Sequence, residues 1–106
     1  MYGLTPELLM AIQSVLADNT TVDEAVLFGS RAKGNFRPGS DIDIALKGQG
    51  LKLNDLLELG LALDDLETPY RFDLVIYHRI TEPVLHDHID RMGRVLYQKT
   101  VSSVSQ

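Results

Sequence analysis

Apolar residues recur along this chain with two different periods, and the switches between them divide it into elements. Leu8, Leu9, Ile12, Val15 and Leu16 fall at helical spacing. Ahead of them stands Thr5-Pro6-Glu7: a capping hydroxyl, a proline suited to the first turn, and an acid near the positive end of the helix dipole. A first helix is therefore expected to run to about Asp18. Glu24 to Phe28 is short and apolar and predicts a buried strand. Ser30 to Lys33 fits one helical turn, and Gly34 to Ser40 is a loop punctuated by glycine and proline. Asp41 to Lys47 alternates, which predicts a second strand. Gly48-Gln49-Gly50 breaks the chain ahead of a leucine-rich helix over 51–67 that carries Leu53, Leu56, Leu57, Leu63 and Leu66 and ends before Pro69. That helix reads as core, with enough leucine to leave a strip for a partner. Phe72 to Tyr77 predicts a third strand. Thr81-Glu82-Pro83 opens a last helix with Leu85, Ile89 and Met92 inward and Gly93 as its stop, and Val95 to Tyr97 is read as a short extended end.

This order places a helix between the second and third strands, which predicts a parallel, right-handed crossover. The short loop between the first and second strands predicts an antiparallel pair. The resulting expectation is an α+β fold with a short, mixed, three-stranded sheet flanked by helices. The end of strand one, the start of strand two and the start of strand three then share one edge.

Length and composition narrow the class. With 106 residues, the chain suits one domain, expected over 1–99, followed by a loose serine-rich tail at 100–106. A formal net charge of −5 gives no electrostatic footprint for a long nucleic acid. No apolar stretch is long enough to span a bilayer, and the start lacks the features of a signal peptide. Cysteine is absent, which excludes disulfides and thiolate metal sites and is compatible with a reducing cytoplasm, the expected location.

The chemistry concentrates between residues 29 and 43. Asp41 and Asp43 flank Ile42, so strand alternation sets both carboxylates on one face and Ile42, Ile44 and Leu46 on the other. Two adjacent acids repel, and divalent cations turn that repulsion into attraction. Magnesium takes one or two carboxylates together with substrate phosphate oxygens. An edge-strand charge or a turn cap explains one such acid better than two. Asp73 opens an apolar run, where Asp is disfavoured, and is read as a third ligand that also serves the acceptor hydroxyl. The plain alternative is an ion pair with Arg71. Gly29 and Ser30 lead from a strand into a helical turn whose amides suit a phosphate. Arg31, Lys33 and Arg37 add positive charge, and Arg31 is the first choice for a phosphate contact. His86, Asp87, His88 and Asp90 resemble a metal cluster, but positions 86 and 88 lie about 200° apart around a helix, so a zinc site is rejected.

Gly29-Ser30, Asp41-Ile42-Asp43 and Asp73 together resemble the DNA polymerase β-like nucleotidyltransferase superfamily. The run Gly-Ser-Arg-Ala-Lys-Gly followed by Ser-Asp-Ile-Asp looks most like its minimal nucleotidyltransferases, and the similarity runs from about Thr5 to Tyr97. The resemblance implies the polymerase β-like fold, two Mg²⁺ ions bound by Asp41 and Asp43 and completed by Asp73, and ATP as donor. It also implies a partner: a small helical HEPN protein, often a ribonuclease toxin, neutralised by transfer of AMP to a tyrosine. Larger relatives that modify small molecules carry a further acceptor-holding domain, whereas here the core elements use almost all residues. The expected function is thus a Mg-dependent protein adenylyltransferase acting as an antitoxin. The alternatives are a steric antitoxin without catalysis and a small-molecule transferase.

Overall fold

The computed structural model describes residues 3–34, 37, 39 and 41–99. Helix α1 spans Pro6–Ala17, capped by Thr5, whose Oγ1 accepts from the Leu8 N–H at 3.1 Å. Strand β1 (Glu24–Phe28) follows, then the single turn α2 (Ser30–Lys33), strand β2 (Ile42–Lys47) and helix α3 (Leu53–Asp64). Strand β3 (Phe72–Ile76) runs into a 3₁₀ turn at Tyr77–Arg79, and helix α4 (Pro83–Met92) leads directly into strand β4 (Arg94–Gln98). The expected tail at 100–106 lies outside the described residues.

The sheet order is β3-β2-β1-β4, with β1 antiparallel to both β2 and β4 and β2 parallel to β3. The parallel crossover and the antiparallel first pair match expectation. The strand count does not: the sheet has four strands, not three. The stretch read as a short extended end is a full edge strand, because it pairs with β1 over Val26↔Val95 and Leu27↔Arg94, contacts that lie far apart in the sequence. Helix α3 is also shorter than 51–67. It starts after Lys52, whose N–H donates to Asp55 Oδ2 at 2.8 Å, and Glu67 beyond its end adopts a left-handed φ of 54°.

Alternation along the strands gives the sheet two unlike faces. Ala25, Leu27, Ile42, Ile44, Leu46 and Ile76 pack beneath α1 and α3, against Ile12, Leu16, Leu59 and Leu63. The other face carries a smaller cluster, Val26, Phe28 and Ala45, covered by Ile89 of α4. Met92 was expected inward but is 36% exposed, at the end of α4. Of the α3 leucines, Leu59 and Leu63 are buried, while Leu53, Leu57 and Leu61 lie along the outer face at fourfold spacing.

Candidate active site

Strand pairing builds the site on the face beneath α4. Asp43 has the parity of Ala45, so its carboxylate shares the face of Phe28 and α4, while Ile42 and Ile44 point to the larger core. Its pairing partner on β1 is Phe28, and its pairing partner on β3 is Asp73. Asp41 stands just ahead of β2, exposed. The carboxyl of Asp43 is pushed up to about 6, first by burial, then by the negative charges of Asp73 and Asp41, with Arg31 pulling it back. Asp73 is exposed and, among the described residues, makes no ion pair with Arg71.

Gly29 joins β1 to α2 at φ 77° and ψ −156°, a backbone region essentially reserved for glycine. It also lies close against Asp43: a Cβ built there would stand 2.3 Å from Asp43 Oδ2. The Gly29 carbonyl accepts from the Lys33 N–H at 3.2 Å and the Ser30 carbonyl from the Gly34 N–H at 3.0 Å, which closes α2, and Gly34 ends it in the left-handed region. Beside this turn lies a cleft of about 480 Å³ bounded by Ser30, Lys33, Glu82, Leu85 and His88.

Arg31, the first choice for a phosphate contact, is 2% exposed, with its guanidinium 4.6 Å above the Tyr70 ring and its charge felt by Asp43. Lys33 and Arg37 are exposed. The fold therefore brings Gly29, Ser30, Asp41, Asp43 and Asp73 to one sheet edge and sets Arg31 beneath them.

The acidic end of α4 holds no metal-type constellation. His86 Nδ1 lies 3.3 Å from Asp90 Oδ2, Arg91 Nε lies 3.2 Å from Asp87 Oδ1, and the Tyr77 hydroxyl donates to Asp90 Oδ1 at 2.5 Å. His88 points the other way, and its Nε2 accepts from the Gly29 N–H at 3.0 Å. Sequence reasoning missed that contact. The one available signal was position, since His88 follows Leu85 by three residues and so flanks the buried side of the helix.

Among the described residues, no group of three His, Cys, Asp or Glu side chains forms a ready-made metal cluster. The donor chemistry at the sheet edge nevertheless suits a hard cation. The charges of Asp73 and Asp41 both act on Asp43 there and, with its burial, hold its carboxyl above the usual range.

Residues 10–101 match the family model described as Polymerase beta, Nucleotidyltransferase. Among solved structures, a toxin–antitoxin crystal structure with AMP-PNP is similar at 28% identity and a TM-score of 0.71, over 87% of this chain and 74% of that one. The toxin–antitoxin MntA–HepT is similar at 25% identity and a TM-score of 0.67, over 90% and 74%. A chain of the complex between a tri-AMPylated HEPN toxin from Shewanella oneidensis and an MNT antitoxin shares the fold at 24% identity and a TM-score of 0.66, over 88% and 71%. No curated protein matches by sequence.

Proposed function

Because this chain belongs to the polymerase beta nucleotidyltransferase family, we propose that it transfers AMP from ATP to a tyrosine hydroxyl of a small helical toxin partner of HEPN type and so acts as its antitoxin. The observation that carries the reading is Asp43, held between Asp73 and Asp41 with its carboxyl raised to about 6, directly beneath a glycine turn. A carboxylate burdened in that way is relieved by a cation, which is what a site for metal-bound triphosphate requires.

Asp41, Asp43 and Asp73 are the residues that would hold magnesium. When bound, the ions offset charge on the triphosphate and on the attacking and leaving oxygens. The chain's own groups do the rest. Gly29 and Ser30 hold the outer phosphates, the glycine permitting close backbone approach and the serine offering its hydroxyl. Asp73, exposed on the edge strand β3, faces an incoming acceptor and takes the proton from its hydroxyl. Arg31 stays buried and limits the repulsion that Asp43 feels. Support for the donor and the partner comes from the similar toxin–antitoxin structures, one of them with the ATP analogue AMP-PNP.

The test is to mix the protein with Mg²⁺, labelled ATP and a co-expressed HEPN-type partner, then locate the label by mass analysis. AMP on a partner tyrosine supports the reading. A stable complex without modification, together with full neutralisation by Asp41→Asn, replaces it with steric inhibition. Rapid modification of an antibiotic or nucleoside by the lone protein replaces it with small-molecule transfer.

A further inference from the structure

Helix α4 touches the glycine turn through one side chain. The Gly29 N–H donates to His88 Nε2 at 3.0 Å, across 59 positions of sequence. That geometry requires the imidazole tautomer with its proton on Nδ1. The ring is held in place from two sides. It meets the edge of Phe28 at a centroid separation of 6.2 Å and an interplanar angle of 74°, and its neighbour Ile89 is 2% exposed in the cluster under α4. Farther along the helix, Asp90 is tied to the Tyr77 hydroxyl. The helix is thus pinned on both flanks, with Gly29 on one side and Tyr77 on the other.

Gly29 is the residue whose backbone most needs holding. It sits at φ 77° and ψ −156°, presses on Asp43 Oδ2, and hands the chain to Ser30. An unpartnered N–H here would leave the turn free to relax toward the wider conformational space of glycine. We propose that His88 is a positioning residue: its Nε2 fixes the Gly29–Ser30 turn above Asp43 and so couples nucleotide affinity to the seating of α4. The proposal rests on the nucleotidyl-transfer reading, and it adds a residue outside the Gly-Ser and Asp-x-Asp motif. His88 acts through the backbone of Gly29.

The experiment compares wild type with His88→Leu, which keeps bulk against Phe28 but removes the acceptor, and His88→Gln, whose amide oxygen reaches a similar position. Hydrogen exchange of the Gly29 amide, KM and kcat for ATP, and thermal unfolding are measured on each. His88→Leu is expected to raise KM for ATP about three- to tenfold, the size of one lost hydrogen bond, with kcat changed much less. Gly29 exchange should accelerate by a similar factor, and His88→Gln should restore both. An unchanged KM and unchanged Gly29 exchange in a folded His88→Leu protein overturn the proposal, as does a His88→Gln protein that stays as impaired as His88→Leu. If wild type neither binds nor transfers a nucleotide, the functional reading fails separately. The Gly29 amide then still decides whether His88 holds the turn.

Discussion

Asp43 Oδ2 occupies the space in which a Cβ on Gly29 would have to stand, 2.3 Å away. The two residues come together because Phe28, just before Gly29, pairs with Asp43 across the antiparallel ladder. Gly29→Ala meets two obstacles: the collision, and a φ of 77° paired with a ψ of −156°. Backbone strain of that kind costs about 1–3 kcal/mol. Urea unfolding should show at least that loss, and transfer should fall to background. A Gly29→Ala protein of wild-type stability would mean that the turn is looser than its geometry implies.

Asp43 binds its proton more tightly in the folded chain than in the unfolded one, at about 6 against 3.8. Its contribution to stability is therefore fully present below the lower value and is lost as the pH rises through the higher one. Without magnesium, this group should make the protein less stable at pH 7 than at pH 4.5. Allowing for solvent screening of a partly exposed side chain, the contribution is about 1–2 kcal/mol. Asp43→Asn should recover it at pH 7, flatten the dependence between those pH values, and lower transfer by at least about a hundredfold. Unfolding of Asp43→Asn at neutral pH would assign the side chain a structural role.

Asp73 contributes to that shift from the neighbouring strand. Asp73→Asn should bring the Asp43 carboxyl down toward its ordinary range, which a carboxyl-carbon NMR titration can follow. In kinetics, the proposed role of Asp73 at the acceptor hydroxyl means that the substitution should slow a single turnover far more than it weakens ATP binding. A large loss of ATP affinity with an unchanged single-turnover rate would reverse that division of labour.

Tyr77 carries its hydroxyl proton up to about 12, chiefly because it donates to Asp90. Ultraviolet titration should therefore show one of the four tyrosines ionising well after the ordinary phenol range. Tyr77→Phe should remove that late step and lower stability at pH 7 by about 0.5–1.5 kcal/mol, the net value of one hydrogen bond. If the late step survives in Tyr77→Phe, the raised group is another tyrosine.

Local patterning was enough to read the elements nearest the candidate site. The apolar run Glu24–Phe28 was bounded correctly, Ser30–Lys33 was recognised as one turn, and the crossover between β2 and β3 followed from the intervening helix. These depend on neighbours in sequence. The features that were missed depend on distant ones. Arg94–Gln98 became a strand because β1 offered a free edge, and its own five residues carry little to announce that. The strip of surplus leucine expected on α3 is there, but which residues form it, Leu53, Leu57 and Leu61, is set by Leu59 and Leu63 filling the layer beneath. Arg31, read as a loop cation placed for phosphate, is buried over Tyr70, a residue almost forty positions away, which the sequence does not announce. For His88 the sequence excludes a metal shared with His86 but assigns no partner, and the fold brings it to Gly29.

The unequal layers on the two sides of the sheet have a consequence for how the molecule fails. Among the described residues, fifteen buried apolar side chains form the cluster on the side of α1 and α3, whereas four, Ile89 of α4 among them, form the cluster on the side of α4. The free energy needed to lift α4 is accordingly a fraction of that needed to unfold the whole chain. Yet α4 covers the face that bears Asp43 and supplies the contact to Gly29. On gentle heating or in dilute urea, this helix should detach while the sheet and its other layer persist. Catalytic competence would then disappear in a transition of its own, at conditions where circular dichroism still reports a folded protein.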